Sequence, residues 1–277
     1  MKSAKRILAI ALAAAIVLCM AACAGGNQKP AESSGKKTPV YMREGYVEEH
    51  EHYGISSMVH WVKNGDLNIY GHVFIPNDFD SSKQYPILIM SHGHNDTGKQ
   101  ADNKLVQNVV KSGMICYTFD FCGGSVQSKS DGKYPEDCTV ENEVSDLKAV
   151  IDDLRSQSYV DTSKIALFGS SMGGAVTTTT AGECADKIAA VILQAPAFNP
   201  EQFEGFSRFA GDFIMLWGTE DSQGIHDNCV AATEYFGDRA TFYIVEGAPH
   251  SFQPRDYELC MGDIDAYLIK MGVMPEK

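Results

Sequence analysis

A short strand that runs directly into a glycine-flanked serine constrains the fold of this chain more than any other feature. Residues 165–168 (Ile-Ala-Leu-Phe) are an apolar run typical of a buried parallel strand. Gly169-Ser-Ser-Met-Gly173 follows at once and matches the pattern G-x-S-x-G, with Ser171 as the nucleophile. The glycines are expected because side chains two positions before and after a serine on a sharp strand-to-helix turn would collide. In a chain with 25 glycines, a bystander serine in a glycine-rich turn is the alternative interpretation.

The rest of the chain predicts alternating strands and helices after an antiparallel start. Residues 57–62 and 67–75 alternate apolar and polar positions around Asn64-Gly65, which is typical of a β-hairpin. The elements predicted after the hairpin are further strands at 85–90, 114–121, 188–193, 213–217 and 241–245, and helices at 99–111, 140–156, 226–236 and 257–271. This order predicts an α/β fold with one mostly parallel sheet, helices on both faces and no second domain.

Residues 1–22 are predicted to be a lipoprotein signal peptide. Basic residues precede an apolar run at 7–18. Met20-Ala-Ala-Cys23 resembles the lipobox of bacterial lipoproteins, in which the cysteine is lipidated and becomes the mature N-terminus. An uncleaved membrane helix is the alternative, because residues 7–24 carry no charge. The lipobox predicts an exported protein that is held on the outer face of a bacterial cell membrane by lipid on Cys23.

Composition separates a tether from a folded domain and excludes one class of partner. Residues 23–39 are polar, rich in Gly, Ser, Pro and Lys, and predict a flexible tether. The catalytic domain is predicted to occupy residues 40–277. The net charge of −13 argues against nucleic acid as a partner, because phosphates repel an acidic protein.

A serine hydroxyl needs a base that takes its proton and an acid that orients the base. In this fold type the acid and then the histidine are expected to follow the serine along the chain. His250 lies in a Gly/Pro-containing loop directly after the last predicted strand, whereas His226 falls within a predicted helix. Asp221 follows the strand at 213–217 and is preferred to Glu220, because its shorter reach suits a buried hydrogen bond to the imidazole. We therefore predict Ser171, Asp221 and His250 as the catalytic residues.

The developing oxyanion of acyl transfer needs two donors that are already aimed at it. One predicted donor is the backbone N–H of Met172, just after the nucleophile. The other is the backbone N–H of His94, in the loop that follows the strand at 85–90. His92 and His94 could instead suggest a metal pair, but no nearby acid or cysteine completes a ligand set. No metal and no cofactor are predicted.

These residues together resemble the α/β-hydrolase superfamily over positions 57–271. The markers are His92-Gly93, the motif at 169–173, Gly218-Thr-Glu-Asp221 and Gly247-Ala-Pro-His250. The segments 119–125 and 128–132 are in addition similar to those of bacterial feruloyl/cinnamoyl-type esterases and dienelactone-hydrolase-like proteins.

The resemblance implies a serine carboxylic ester hydrolase that forms an acyl-enzyme on Ser171. The expected substrate is a small-molecule or carbohydrate-linked ester, such as a feruloyl, cinnamoyl or acetyl ester. Two alternatives stay open: a serine peptidase of the prolyl-oligopeptidase type, and a catalytically silent hydrolase fold used as a surface binding protein.

Two features of the sequence leave structural alternatives. Cinnamoyl esterases of this kind usually carry an inserted lid, but here only residues 198–211 stand in that place, so a minimal lid is expected. Its four phenylalanines suggest either an aromatic rim for an acyl group or the apolar side of a short helix. Cys122 and Cys138 lie in one loop region of an exported chain, where a disulfide would be compatible with the compartment.

Overall fold

The computed structural model describes residues 38–276. The strands of this part of the chain are β1 (Val47–His50), β2 (Ile55–Asn64), β3 (Leu67–Pro76), β4 (Tyr85–Ser91), β5 (Ile115–Phe119), β6 (Val160–Ser170), β7 (Ala190–Gln194), β8 (Phe213–Gly218) and β9 (Ala240–Val245). The α-helices are α1 (Lys104–Lys111), α2 (Val140–Ser156), α3 (Met172–Glu183), α4 (Pro200–Phe206), α5 (Gln223–Phe236) and α6 (Pro254–Lys270).

All of these strands belong to one sheet, in the order β1-β2-β3-β5-β4-β6-β7-β8-β9. β1, β2 and β3 pair antiparallel, and β3 also pairs antiparallel with β5. From β5 onward each neighbouring pair is parallel, so the carboxyl ends of these strands meet at one edge. The predicted α/β fold with one mostly parallel sheet is confirmed.

A missed strand and a shifted helix start, among the differences from the sequence prediction, have local reasons. β1 was not predicted, because Val-Glu-Glu-His is polar and lies half exposed at the sheet edge. α1 begins at Lys104 and not at residue 99. The side chain of Asn103 accepts hydrogen bonds from the N–H groups of Leu105 and Val106, and this cap fixes the start of the helix.

The two faces of the sheet are covered by different helices. Apolar side chains of α2, α3, α4 and α5 pack on one face against strand residues such as Ile165 and Met215. Apolar side chains of α1 and α6 pack on the other face against residues such as Leu88 and Ile192. Burying the sheet on both sides explains why its parallel strands are continuous apolar runs.

The segment expected to form a minimal lid belongs largely to the core. Phe198, Phe203, Phe206 and Phe209 are 1%, 3%, 0% and 2% exposed, respectively. Phe198, Phe203 and Phe206 form a cluster with Phe213 and Phe236, with ring-centroid separations of 4.8 to 6.4 Å. The Phe209 ring stacks on Phe206 at 5.6 Å. The interpretation as an aromatic rim for an acyl group is therefore wrong. Phe203 and Phe206 lie on the apolar side of the short helix α4, as the other interpretation expected, and Phe198 and Phe209 flank this helix.

The predicted signal peptide, the lipid attachment at Cys23 and nearly all of the predicted tether lie outside the described residues. Within residues 38–276, no helix combines the length and the hydropathy that a membrane crossing needs.

A buried histidine links the antiparallel part of the sheet to α2. The His60 ring is 2% exposed, with Nδ1 3.0 Å from Glu44 Oε1 and Nε2 2.6 Å from Asp153 Oδ2. Burial opposes protonation of His60, but the hydrogen bonds to Asp153 and Glu44 outweigh it and raise the pKa to about 9. The ring is therefore an imidazolium between two carboxylates at neutral pH.

We predict that this ion pair network makes the protein less stable in mild alkali. A histidine whose pKa is higher in the folded than in the unfolded state stabilises the fold. Its contribution to the free energy of unfolding is complete below about pH 6.5 and is lost as the pH rises through about 9. Urea unfolding at pH 7 and pH 9.5 should therefore show a loss on the order of 2 kcal/mol from this group. The variant His60→Gln, which is neutral throughout, should lack that part of the pH dependence. An unchanged dependence in the variant would contradict the assignment.

Candidate active site

Ser171 occupies a strained position between β6 and α3. Its φ of 53° and ψ of −122° lie in a region that non-glycine residues rarely adopt and that costs about 1–3 kcal/mol. The glycines make this turn sterically feasible. A Cβ on Gly169 would overlap with the carbonyl oxygen of Gly173, and a Cβ on Gly173 would overlap with that of His92.

Backbone hydrogen bonds hold the strained turn in place. The Ser171 N–H donates to the carbonyl of Gln194 at 3.0 Å, which ties the turn to the end of β7. The Ser171 carbonyl accepts from Ala197 at 2.8 Å and from Gly174 at 2.9 Å. Strain persists only where the surroundings determine the conformation, and here both backbone polar groups of the serine are fixed.

The three predicted catalytic side chains lie in one hydrogen-bonded row. His250 Nε2 is 2.9 Å from Ser171 Oγ, and His250 Nδ1 is 2.8 Å from Asp221 Oδ2. The Asp221 side chain is 5% exposed, whereas the His250 side chain is 42% exposed. With Asp221 ionised, Nδ1–H donates to the carboxylate and Nε2 is left as the acceptor for the serine proton.

The loops that carry the acid and the base are joined by backbone contacts. Glu220 N–H donates to the Ala248 carbonyl at 3.0 Å, and Gly247 N–H donates to Thr219 Oγ1 at 2.8 Å. A second Asp221 oxygen accepts from Ser222 N–H at 2.6 Å. These contacts fix the distance between carboxylate and imidazole through the backbone, although the imidazole itself is partly exposed.

Gln194 and Tyr257, which the sequence analysis did not identify, support the loop that carries His250. Gln194 is 2% exposed, and its Nε2 lies 3.4 Å from both the His250 carbonyl and Ser170 Oγ. Tyr257 donates from its hydroxyl to Gln194 Oε1 at 2.6 Å. Gln194 is the last residue of β7, so its position at a strand end was the available signal.

The loop after β4 approaches the nucleophile closely. A Cβ on Gly93 would lie 3.1 Å from Ser171 Cβ, so only glycine leaves this space open. The buried His92 ring holds the loop: Nε2 accepts from Phe121 N–H at 3.0 Å, and Nδ1 donates to the Gly93 carbonyl at 2.8 Å. Burial lowers the pKa of His92, which keeps the ring neutral in this tautomer.

The predicted oxyanion donors flank Ser171 on two elements. Met172 is the first residue of α3, where backbone N–H groups lack a partner within the helix. His94 directly follows Gly93 in the loop beside the serine. Their role as a pair of donors stays a prediction.

The His94 ring is held by the segment between β5 and α2. Tyr134 Oη lies 3.1 Å from His94 Nε2, and Cys138 Sγ lies 3.3 Å from His94 Nδ1. Cys138 is therefore not paired with Cys122, and both are free thiols. Cys122 is buried, and its Sγ instead lies 3.8 Å from the Asn68 carbonyl. Within the described residues, no group of three or more His, Cys, Asp or Glu side chains is arranged so that it could hold a metal ion.

We predict that Gly218→Ala destabilises the protein and disturbs the acid–base pair. A Cβ on Gly218 would overlap with the Ala248 carbonyl, so the two loops must separate. The expected loss in the free energy of unfolding is about 1–3 kcal/mol, measured by urea denaturation.

Gly262→Ala is the matched control. Gly262 lies within α6 and has nothing within 4 Å of an added Cβ, so alanine should stabilise by about 0.5–1 kcal/mol. Equal effects of the two substitutions would refute the close approach at Gly218.

Comparison with known proteins finds a matching family model and a similar curated protein. A family model described as "Serine aminopeptidase, S33" matches residues 82–219. The quorum-quenching protein AidA of Acinetobacter baumannii is 28% identical over 111 residues, which are 40% of this chain and 35% of AidA. The matched stretch thus spans little more than a third of that curated relative.

Solved structures resemble the chain over most of its length. Est1E of Butyrivibrio proteoclasticus with bound ferulic acid superposes with a TM-score of 0.62 and 17% identity, covering 76% of this chain and 98% of that chain. Dienelactone hydrolase of Anabaena variabilis gives a TM-score of 0.63 and 16% identity, covering 78% of this chain and 98% of that chain. At these identities the likeness concerns the fold.

Proposed function

Because the chain belongs to the α/β-hydrolase superfamily, we propose that it is a serine hydrolase that cleaves carboxylic esters through an acyl-enzyme on Ser171. The row Ser171–His250–Asp221, with contacts of 2.9 Å and 2.8 Å, carries the proposal. A neutral imidazole held in this tautomer accepts a proton from the serine hydroxyl without rearrangement.

In the acylation step, Ser171 Oγ attacks the ester carbonyl while His250 Nε2 takes the hydroxyl proton. The N–H groups of Met172 and His94 donate to the oxyanion of the tetrahedral intermediate. His250 then returns the proton to the departing alkoxide as the C–O bond breaks, and the alcohol leaves. Asp221 stays ionised and stabilises the imidazolium.

In the deacylation step, water takes the place of the alcohol. His250 removes a proton from water as it attacks the acyl carbonyl, and the proton then passes to Ser171 Oγ as the acyl–serine bond breaks. A carboxylic acid is released, and the hydroxyl of Ser171 is restored.

The substrate class that we propose is a feruloyl, cinnamoyl or acetyl ester of a small alcohol or a carbohydrate. Est1E, which has a similar fold, binds ferulic acid. The aromatic segment around α4 is buried in the core, which leaves it unavailable as a large cover for the acyl group.

The family description favours a second candidate, cleavage of peptide bonds by a serine peptidase. The same three residues would serve, since acyl transfer from an amide and from an ester share the acyl-enzyme. A panel of p-nitrophenyl acetate, methyl ferulate and aminoacyl p-nitroanilides separates the candidates. Faster turnover of the anilides would replace the esterase proposal.

We predict that Ser171→Ala lowers kcat/KM for p-nitrophenyl acetate by 10³-fold or more, on the order expected when a triad nucleophile is removed. Ser170→Ala is the matched control, because Ser170 Oγ makes only a 3.4 Å contact with Gln194 Nε2.

A fluorophosphonate probe tests the same assignment without a substrate. It should label the wild type and Ser170→Ala but not Ser171→Ala. An unlabelled wild type would favour the silent binding protein instead.

We further propose that residues 1–22 direct export, that Cys23 carries the lipid anchor and that residues 40–277 act as a catalytic domain outside the cell membrane. Labelling of the producing bacterium with a clickable fatty acid should mark the full chain and the variant Cys19→Ala. Cys23→Ala should abolish the label, because the predicted acceptor thiol is lost. Continued labelling of Cys23→Ala would contradict the lipobox assignment.

A further inference from the structure

A polar cavity lies at the edge of the sheet that also carries Ser171. Its volume is about 120 Å³, and its walls come from β3, from the end of β5 and from the loops after β4 and β5. Gly98 contributes to the wall five residues after Gly93, the glycine that borders Ser171. Five residues of chain span at most about 18 Å, so the cavity is within reach of an extended substrate.

Lys129 gives this cavity a cation without a carboxylate partner. Its Nζ lies 4.7 Å from the centroid of the Tyr70 ring, at the cavity wall. In residues 38–276, Lys129 forms no ion pair within 4.0 Å, whereas most other lysines of this part do. In a chain with a net charge of −13, such a cation at the wall of a cavity attracts anions.

The nearest acid in the wall is already engaged. Asp120 is 5% exposed, and its two carboxylate oxygens accept from Gly98 N–H at 2.9 Å and from Lys129 N–H at 2.8 Å. The carboxylate therefore holds the two loops together by their backbones. Its negative charge remains in the cavity wall, but no ion pair within 4.0 Å joins it to Lys129 within the described residues, and the exposed Lys129 side chain leaves the ammonium group available to a ligand.

The remaining polar groups of the wall suit a small acceptor ligand. The side-chain amide of Gln127 makes no hydrogen bond within the described residues and supplies two N–H donors. His72 Nε2 lies 2.8 Å from the Tyr70 hydroxyl, but its buried Nδ1 has no partner. Burial and the nearby Lys129 lower the pKa of His72 to about 4, so the ring is neutral.

We propose that this cavity binds a carboxylate at the non-reacting end of the substrate, with Lys129 as the cation that recognises it. The inference rests on the proposed ester hydrolysis, and it narrows the substrate to esters that bear a remote carboxylate on the acyl or the alcohol side. The ligand class follows from one unpaired ammonium, one free amide and a cavity of about 120 Å³.

The kinetic test compares esters that differ only in the remote charge. Mono-p-nitrophenyl esters of dicarboxylic acids from succinic to sebacic acid form one series, and acetate esters of ω-hydroxy acids form the other. Each is paired with its methyl-capped neutral counterpart. At one chain length the wild type should prefer the carboxylate by about tenfold in kcat/KM, mainly through KM, and added NaCl should reduce the preference.

Lys129→Gln should reduce that preference to about one. Lys133→Gln is the matched control, because Lys133 is an exposed lysine in the same loop, outside the cavity wall. The control should retain the preference and the wild-type rates. A preference for the carboxylate that survives Lys129→Gln overturns the carboxylate site. Equal kcat/KM values of the wild type for the charged and the neutral ester, at every chain length in both series, overturn it as well.

A binding measurement keeps this result separate from the proposed function. Saturation-transfer NMR on the Ser171→Ala protein, with the preferred dicarboxylic acid or a series of them as the probe, reports binding without turnover. If the saturation-transfer signals of the probe are weaker with the Ser171→Ala/Lys129→Gln protein than with Ser171→Ala, the result supports the site even if no ester is hydrolysed. Equal signals with and without Lys129 overturn it whatever the kinetics show.

Discussion

The close contact between the turn at Ser171 and the loop after β4 is the constraint on which the rest of the site depends. The Gly173 backbone lies against the His92 carbonyl, and Gly93 leaves room beside the Ser171 side chain. A side chain at Gly173 would overlap with the backbone of Ser91 and His92, and one at Gly93 would crowd the Ser171 side chain. The strained serine, the first turn of α3 and the loop that is expected to bind the oxyanion are therefore parts of one packing arrangement.

Rigidity in this site comes from buried supporting contacts, made by backbone groups and by noncatalytic side chains, more than from the catalytic side chains. The imidazole of His250 is partly exposed, yet its loop is bound to the acid loop and rests on Gln194 and Tyr257. His92 likewise fixes its loop through Phe121 and Gly93. Such support holds reacting groups in place before a substrate binds, which is the condition for electrostatic stabilisation of a transition state.

Sequence patterns predicted the fold and the main residues of the site because both follow from local signals. Apolar runs marked the parallel strands, and strand ends placed Ser171, Asp221 and His250 at one edge. The exposed edge strand β1 lacked such a run. The supporting contacts of Gln194 with Tyr257, and of His94 with Tyr134 and Cys138, join side chains far apart in the chain. No periodicity records contacts of that kind, so only the folded structure reveals them.

The aromatic packing around α4 affects the access of water to the proposed acyl-enzyme. Because Phe198, Phe203, Phe206 and Phe209 are committed to the interior, this segment cannot fold over Ser171 and dry the site. Ser171 is partly exposed, so this segment does not keep water from a serine that is acylated as proposed. Under the proposed function, we expect water to outcompete a second alcohol for the acyl group, because it is the more abundant nucleophile.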